Sequence, residues 1–232
     1  TMTYTIDQYL KRGPSTSKEI QAATDLSQAS VARKIKAMGD SIVQIKEGRR
    51  VRYAATCNAF GANDNLPLGA IDPNGKVCVI AHIRPLKHGG FFVELKDTTS
   101  LMFAGEVKNG LYDDLPYFLY DARPQGFIGR QLAHQIASRY DDFPSDPKSW
   151  TSDHIGRYLI SNGEDLPGNL IFGEQALLRV QRDPVTVSKS QYPATADSIM
   201  KGEVPGSSAG GEQPKFAVFN GESQSHVSVK LA

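Results

Sequence analysis

Residues 16–39 read TSKEIQAATDLSQASVARKIKAMG, and this stretch decides the fold predicted for the N-terminal part of the chain. It opens at Thr16–Glu19 with the Ser/Thr-x-x-Glu form of a capping box, which predicts a helix over residues 17–23. After a short turn, Ser27 can cap a second helix over residues 28–38, which a glycine closes. Two short helices joined by a tight turn are therefore expected.

The second predicted helix has two different faces. Val31, Ile35 and Met38 recur at helical spacing, which indicates a buried stripe. Arg33 and Lys36 point the other way, together with small residues. A basic face with small side chains leaves room for the helix to enter the major groove of DNA.

A basic hairpin follows the two helices. Residues 42–45 and 49–53 flank a polar turn at Glu47-Gly48, which predicts two antiparallel strands with a positively charged tip. The order helix, turn, helix and hairpin is typical of a winged helix-turn-helix that binds double-stranded DNA. A winged domain that serves only as a protein contact is the alternative.

Charge separates this segment from the rest of the chain. Residues 1–55 contain ten Lys and Arg against five Asp and Glu, whereas the remainder contains sixteen against twenty. Such a basic segment on an acidic body indicates contact with a polyanion. The residues predicted to contact base edges or phosphates are Ser27, Gln28, Ser30, Arg33, Lys34, Lys36, Lys46, Arg49, Arg50 and Arg52.

The middle of the chain has a mixed pattern. Residues 57–74 are rich in Asn, Gly, Asp and Pro and are predicted to form a linker. Strand-like runs, expected to form an antiparallel meander, occupy residues 76–83, 91–95 and 101–107. Helical spacing recurs in residues 129–140 and 153–161, and residues 182–203 are expected to be a flexible lead-in with one turn of helix near residues 196–200.

The composition argues against several classes of protein. Cys57 and Cys78 lack the spacing of metal ligands, so no metal site is predicted and reduced thiols are expected. The chain contains no apolar run of membrane-spanning length, and its N-terminus does not resemble a signal peptide. We therefore expect a cytoplasmic protein without a membrane partner.

The C-terminal stretch Pro205–Lys215 is rich in glycine and precedes a second predicted hairpin, over residues 215–219 and 226–231. Glycines allow positive φ and a close approach of the backbone to a ligand, and successive N–H groups can hold an anion. Lys230 on the second strand fits a cation that binds nucleotide phosphates. The residues alone leave open an ordinary surface loop, because no Lys-Ser/Thr pair follows the glycines.

This C-terminal stretch resembles the HipA-type serine/threonine kinase toxins. The resemblance rests on Ser207–Lys215 followed by His226–Leu231, and on Asp113–Leu119 with Pro124–Gly126, where glutamine replaces the glutamate of the family. It implies that the loop carries an inhibitory autophosphorylation serine and that the strand lysine binds ATP. The implied autophosphorylation site is Ser207, with Ser208 as the alternative because the register has an apparent one-residue insertion. The implied nucleotide-binding residues are Gly206, Ser207, Ser208, Ala209, Gly210, Gly211 and Lys230.

Together these patterns predict an α+β protein, with a winged helix-turn-helix followed by the mixed N-terminal part of a HipA-like kinase fold. The predicted divisions are a DNA-binding domain (1–56), a linker (57–74), a HipA-like subdomain (75–181) and the start of the kinase N-lobe (182–232). The basic N-terminus makes the chain resemble the YjjJ-like branch of the family, in which the DNA-binding part is fused to the kinase.

The predicted function is that of the DNA-binding N-terminal portion of a serine/threonine kinase toxin. The family places its catalytic Asp and metal-binding residues downstream of the ATP lysine, so this chain is expected to contain no catalytic residue. ATP and Mg²⁺ would serve the intact protein, and palindromic DNA would imply a homodimer. The alternative is a winged-helix transcriptional regulator whose kinase-like body binds a ligand without catalysis.

Overall fold

The structure, a computed structural model, describes residues 3–72, 76–96, 109–164, 166–167, 169–182, 186–201, 215–223 and 225–230. These residues form a mixed arrangement of helices and mostly antiparallel strands, so the predicted α+β class is confirmed. The chain divides into two compact units. Unit 1 comprises Thr1–Leu66 and Ala81–Pro116, and unit 2 comprises Pro67–Ile80 and Tyr117–Ala232.

The helices are α1 (Ile6–Leu10), α2 (Ser17–Thr24), α3 (Gln28–Met38), α4 (Tyr117–Tyr120), α5 (Gly126–Ala137), α6 (Ser152–Ser161), α7 (Glu174–Arg182) and α8 (Tyr192–Met200). The strands are β1 (Ser15–Thr16), β2 (Ile42–Glu47), β3 (Arg50–Ala55), β4 (Leu66–Ile71), β5 (Val77–Pro85), β6 (Phe91–Leu95), β7 (Leu111–Tyr112), β8 (Leu170–Phe172), β9 (Thr186–Val187), β10 (Lys215–Asn220) and β11 (Ser225–Lys230). Short 3₁₀ turns span Gly39–Ser41, Pro147–Ser149 and Lys189–Gln191.

The two predicted N-terminal helices are present with their predicted caps. The backbone N–H of Thr16 donates to the Glu19 carboxylate at 2.6 Å, and the Glu19 N–H donates to Thr16 Oγ1 at 3.3 Å, which completes the capping box of α2. Asp25, which adopts a left-handed conformation with φ 54°, makes the turn that follows. Ser27 caps α3 by accepting from the Ser30 N–H at 3.3 Å.

The apolar stripe of α3 lies in the first core of unit 1. Val31 and Ile35 are buried there and Met38 packs against them, as the spacing predicted. Helix α1, which the sequence did not predict, adds Ile6 and Leu10 to the same core. Burial of one face leaves the other face of α3 in solvent.

The predicted basic hairpin is strands β2 and β3, which pair antiparallel from Ile42↔Ala55 to Glu47↔Arg50 in a sheet of order β1-β3-β2. One of its faces contributes Val43 and Ile45 to a second core, which also contains Phe92. The N-terminal segment therefore shares its core with Leu86, Phe92 and Leu111.

Unit 1 continues with the predicted meander. Residues 81–85 of β5 pair with β6, and β6 pairs with β7, all antiparallel. The predicted strands over 76–83 and 91–95 are confirmed, whereas the run over 101–107 lies outside the described residues. Backbone hydrogen bonds from Lys87 N to Ala55 O (2.8 Å) and from Cys57 N to Pro85 O (3.0 Å) join the meander to the end of the hairpin.

The linker predicted for residues 57–74 contains a strand in the structure. Residues 66–71 form β4, whose register with β8 in unit 2 places Leu68 opposite Phe172. Leu66 and Leu68 are buried, which explains why this segment is a strand although Pro and Gly interrupt its pattern. The predicted domain boundaries at residues 56, 74 and 181 stay a prediction.

Unit 2 contains the two predicted body helices, α5 and α6, and elements that the sequence did not define. These are strand β8 and helix α7, for which no element was predicted. The helical turn expected near residues 196–200 is present as part of α8, which already starts at Tyr192, and the lead-in also holds β9 and a 3₁₀ turn that were not predicted. Among the described residues, no helix is both long and apolar enough to cross a membrane.

Candidate nucleic-acid interface

The outer surface of α3 is defined as Gln28, Ser30, Arg33, Lys34 and Lys36, of which Arg33 and Lys36 lie opposite the buried stripe and the others flank it. Gln28, Arg33, Lys34 and Lys36 are exposed, and Ser30 is half-buried at the margin. Ala29, Ala32 and Ala37 on the same helix are also exposed and add no bulk. The helix thus presents a basic surface whose small side chains would allow close approach to a groove.

Ser27 has a structural partner at the start of this face. Its Oγ accepts from the Ser30 backbone N–H and also donates to Ser30 Oγ at 3.1 Å. Arg33 Nη2 reaches Ser30 Oγ at 3.5 Å, which is the outer limit of a hydrogen bond. Ser27 therefore acts as the helix cap, while Arg33 is only weakly tethered along the helix.

The hairpin tip supplies further cations. Gly48 adopts φ 61°, a conformation that glycine enters without strain, and Gly48-Arg49 connects the closing pair Glu47↔Arg50. Lys46 and Arg49 are exposed. Within the part of the chain that the structure describes, Lys34, Lys36, Lys46 and Arg49 make no side-chain hydrogen bond or ion pair.

Arg52 is held differently from the other predicted phosphate contacts. Its Nη2 donates to Glu47 Oε1 at 2.6 Å, and the Arg52 side chain is only 20% exposed. Asn109 Nδ2 donates to the same Oε1 at 2.6 Å. These hydrogen bonds, that of Asn109 first and that of Arg52 second, hold the pKa of Glu47 below its usual value. Arg52 is therefore neutralised by a carboxylate on its own hairpin.

Asn109 is a contact of the hairpin that no sequence pattern predicted. It lies 62 positions from Glu47, and its side chain also accepts from the Leu111 N–H at 3.1 Å. No local pattern connects residues so far apart. The contact ties Asn109 to the charged tip of the hairpin, at the closing pair Glu47↔Arg50.

Arg50 is intermediate between the unpaired cations of the hairpin tip and Arg52, which is bound to Glu47. Its guanidinium lies 4.0 Å from the Glu19 carboxylate, and both side chains are about half exposed. The pKa of Glu19 is lowered chiefly by the hydrogen bond from the Thr16 backbone, with smaller effects of nearby arginines. An exposed pair at this distance contributes little stability, so Arg50 can exchange its partner for a phosphate.

Three of the five acidic side chains in residues 1–55 have partners of their own. Asp7 binds Lys87 Nζ at 2.7 Å, which lowers its pKa, and lies 3.7 Å from Lys11. Glu19 closes a capping box and Glu47 binds Arg52. Asp25 and Asp40 are exposed at the two ends of α3, but the cations of α3 and of the hairpin tip outnumber them, so this surface keeps a net positive charge.

The predicted nucleotide site is only partly described. Strands β10 and β11 form the predicted hairpin, in which Lys215 lies opposite Lys230 in the register. Residues 206–211, with both candidate serines, lie outside the described residues. Among the described residues, no group of three His, Cys, Asp or Glu is arranged to hold a metal ion.

Comparisons with known proteins give a family. A family model described as "YjjJ-like toxin, middle domain" matches residues 62–181 of this chain. The chain is 30% identical over 231 residues to Toxin YjjJ of Escherichia coli (strain K12), an alignment that covers 96% of this chain and 49% of the relative. The chain thus spans about half the length of that relative. No solved structure matches it.

Proposed function

This chain belongs to the YjjJ-like toxin family, and we propose that its residues 16–55 form a winged helix-turn-helix that binds double-stranded DNA. Helix α3 would enter the major groove, with Gln28, Ser30 and Arg33 toward base edges. The β2–β3 hairpin would be the wing, with its tip on the phosphate backbone.

One observation carries the proposal. Lys34, Lys36, Lys46 and Arg49 are exposed cations without a side-chain partner among the described residues, and they outnumber the two exposed acids beside α3, Asp25 and Asp40. Neutralisation of DNA phosphates releases counterions, so such cations give affinity that falls with salt. Lys34, Lys36, Lys46 and Arg49 are the proposed phosphate contacts, with Arg50 joining them once it leaves Glu19.

The test is fluorescence anisotropy with a random-sequence duplex across a salt series. Combined replacement of Lys34, Lys36 and Arg49 by alanine should reduce the slope of log affinity against log salt by about 0.9 for each lost contact. Lys11→Ala removes a charge from the same segment, but its side chain already faces Asp7. Equal salt slopes for the triple variant and Lys11→Ala would contradict the proposal. Selection of palindromic sequences by the chain would indicate a homodimer on DNA.

For the intact protein we propose a HipA-like serine/threonine kinase of toxin type, located in the cytoplasm. The support is the name of the relative, Toxin YjjJ, together with the resemblance around Ser207–Lys215 and the β10–β11 hairpin that ends at Lys230. ATP and Mg²⁺ would be its cofactors, with Lys230 on the phosphates and Ser207 or Ser208 as the site of autophosphorylation.

This second proposal is tested by mass spectrometry of the intact protein after incubation with ATP and Mg²⁺. A phosphate that disappears in Ser207→Ala or Ser208→Ala identifies the serine, and Lys230→Ala should abolish it. Lys201→Ala is the control, since that lysine is outside the resemblance and its side chain pairs with Asp197. Absence of any phosphate, with DNA binding retained, would favour a winged-helix regulator with a non-catalytic body.

A further inference from the structure

The tip of the β2–β3 hairpin, which carries Lys46 and Arg49, has no third strand beside it among the described residues. Strand β1 pairs only with Tyr53 and Arg52 of β3, so residues 46–51 belong to a ribbon of two strands. Such a ribbon is barely stable by itself and twists more strongly than a larger sheet. The direction of the tip therefore depends on contacts from outside the hairpin.

One face of the hairpin packs on the meander. Side chains alternate between the two faces of a strand, so Val43, Ile45 and Glu47 share a face of β2. Val43 and Ile45 are buried in the second core of unit 1, against which Leu111 of β7 packs. Glu47 is the next side chain in this row toward the tip, where a polar contact can continue the apolar ones.

Asn109 makes that polar contact with both ends of its amide. Its Nδ2 donates to Glu47 Oε1 at 2.6 Å, while its Oδ1 accepts from the Leu111 N–H at 3.1 Å. The amide thus bridges the hairpin and the meander. Because its acceptor is a carboxylate, the bond to Glu47 is charge-assisted and stronger than a hydrogen bond between neutral groups.

The main chain next to Asn109 is itself held in place. Gly110 has φ 80°, and its carbonyl accepts from the Val93 N–H at 2.8 Å. A methyl group on Gly110 would lie 2.7 Å from the carbonyl oxygen of Val93 and 3.0 Å from the Phe92 ring. Glycine therefore allows this segment to lie directly against β6, and the Asn109 amide extends from a fixed backbone.

Arg52 binds the same carboxylate but cannot replace Asn109 in this role. Its Nη2 donates to Glu47 Oε1 at 2.6 Å, yet both residues belong to the hairpin, so their pair anchors the hairpin to nothing else. Among the described residues, Asn109 is the one hydrogen-bond donor to Glu47 from outside the hairpin. Of the two donors, Asn109 also lowers the pKa of Glu47 more.

We propose that Asn109 is a positioning residue for DNA binding, which acts by holding Glu47. The hairpin tip is thereby fixed so that Lys46 and Arg49 meet DNA phosphates. Glu47 directly precedes the two-residue turn of the hairpin, so fixing it leaves the turn little freedom. A tip that is ordered before binding avoids the entropic cost of ordering it on DNA. This role rests on the DNA binding proposed for residues 16–55.

Asn109→Asp in the whole chain is the sharpest test. Aspartate keeps the oxygen that accepts from the Leu111 N–H, but it has no N–H for the Glu47 carboxylate and repels it. Fluorescence anisotropy with a random-sequence duplex across a salt series should show affinity about tenfold lower. The slope of log affinity against log salt should fall by about 0.9 for each of Lys46 and Arg49 that leaves the DNA.

Asn63→Asp is the matched control. Asn63 is exposed in the same unit, and its Oδ1 likewise accepts a main-chain N–H, that of Asn65, at 3.0 Å. The change adds the same negative charge without touching the hairpin, so any loss that it shares with Asn109→Asp is due to charge alone.

The double variant Asn109→Asp with Glu47→Gln separates positioning from charge in a second way. It exchanges the donor and the acceptor between the two positions and has the net charge of the wild type, so the hydrogen bond can form again in the reverse direction. Both the affinity and the salt slope should return to about their wild-type values.

Hydrogen exchange without DNA tests the contact independently of DNA binding. The main-chain N–H groups of residues 46–50 should exchange faster in Asn109→Asp than in the wild type or in Asn63→Asp, and the double variant should restore the slower rate. A wild type whose duplex affinity does not vary with salt would contradict the proposed DNA binding, and with it the role of Asn109 in that binding, whatever the exchange rates are.

Equal changes in salt slope and in hydrogen exchange for Asn109→Asp and Asn63→Asp would overturn the proposal. A double variant that stays at the level of Asn109→Asp would do the same. If Asn109→Asp fails to fold, Asn109→Ala removes the donor without adding a charge and should lower the salt slope by the same amount. A wild-type slope for Asn109→Ala would then contradict a positioning role.

Discussion

Arg84 Nη2 donates a 2.5 Å hydrogen bond to the main-chain carbonyl of Asp40, 44 residues earlier in the chain. Asp40 belongs to the 3₁₀ turn that follows α3, and Arg84 lies on β5 with a side chain only 6% exposed. Its Nε also donates to Asp64 O at 2.8 Å, and Glu94 lies 3.5 Å away. A buried guanidinium therefore joins the end of the candidate recognition helix to the meander.

Replacement of Arg84 by alanine is expected to lower the free energy of unfolding by about 3 kcal/mol, since it removes a buried charge with several partners. Arg84→Lys should lose less, because lysine keeps the charge but not the planar arrangement of donors. Guanidinium chloride unfolding measures both. A loss below about 1 kcal/mol for Arg84→Ala would show that water replaces these hydrogen bonds.

Ser27→Ala should lower stability by about 1 kcal/mol, because it removes the cap of α3. Ser27→Thr should restore most of that loss, since threonine also caps helices. Thermal unfolding and DNA affinity are measured on the same samples. If DNA affinity falls in Ser27→Thr while stability returns, Ser27 contacts DNA in addition to capping.

Arg33→Ala is expected to relax sequence preference, because its guanidinium extends from the exposed face of α3 with only a 3.5 Å contact. Arg49→Ala should weaken binding to all duplexes alike and flatten the salt dependence by about one unit. Competition binding with a selected and a random duplex separates the two effects. Equal losses on both duplexes for Arg33→Ala would remove it from base recognition.

Glu47→Gln should make stability less dependent on pH. Asn109 and Arg52 lower the pKa of Glu47 in the folded protein below its ordinary value of 4.5. The carboxylate therefore stabilises the fold above that ordinary value, and the stabilisation disappears as pH falls through the lowered folded value. Urea unfolding at pH 7 and at pH about 3 should show the difference between wild type and Glu47→Gln shrinking at the lower pH. A difference that stays constant would indicate that Glu47 acts by shape alone.

Gly163→Ala should destabilise unit 2 by about 2 kcal/mol, because the added methyl group would collide with the backbone carbonyl of Phe172 and lie 2.8 Å from that of Leu159. Gly39→Ala is the control for conformational strain without collision: its φ is +56°, and nothing lies within 4 Å of the added carbon. It should cost about 1 to 3 kcal/mol, because φ 56° with ψ −134° lies outside the left-handed helical region that other residues can enter. Thermal unfolding of both variants tests the distinction.

The sequence was most informative where structure depends on residues three or four positions apart. The capping box of Thr16 and Glu19, the Ser27 cap and the Val31 and Ile35 stripe are all of this kind, and each is present. Helix α8 was underestimated because Ser, Thr and Pro dominate its sequence, although Ile199 buries its apolar side.

The sequence alone determined the two N-terminal helices, the hairpins, and the positive charge of residues 1–55. Local hydrogen bonds and periodic burial depend on residues a few positions apart, so they can be predicted from the sequence. The tertiary structure decided which of those charges are exposed without a partner. Arg52 and Arg49 look alike in the sequence, yet only Arg52 binds the Glu47 carboxylate, which also accepts a hydrogen bond from Asn109. The tertiary structure also joined Arg84 to the main chain of Asp40 and brought Lys148 and Arg130 to the same cavity. Such contacts depend on how distant segments pack, and no local pattern encodes that.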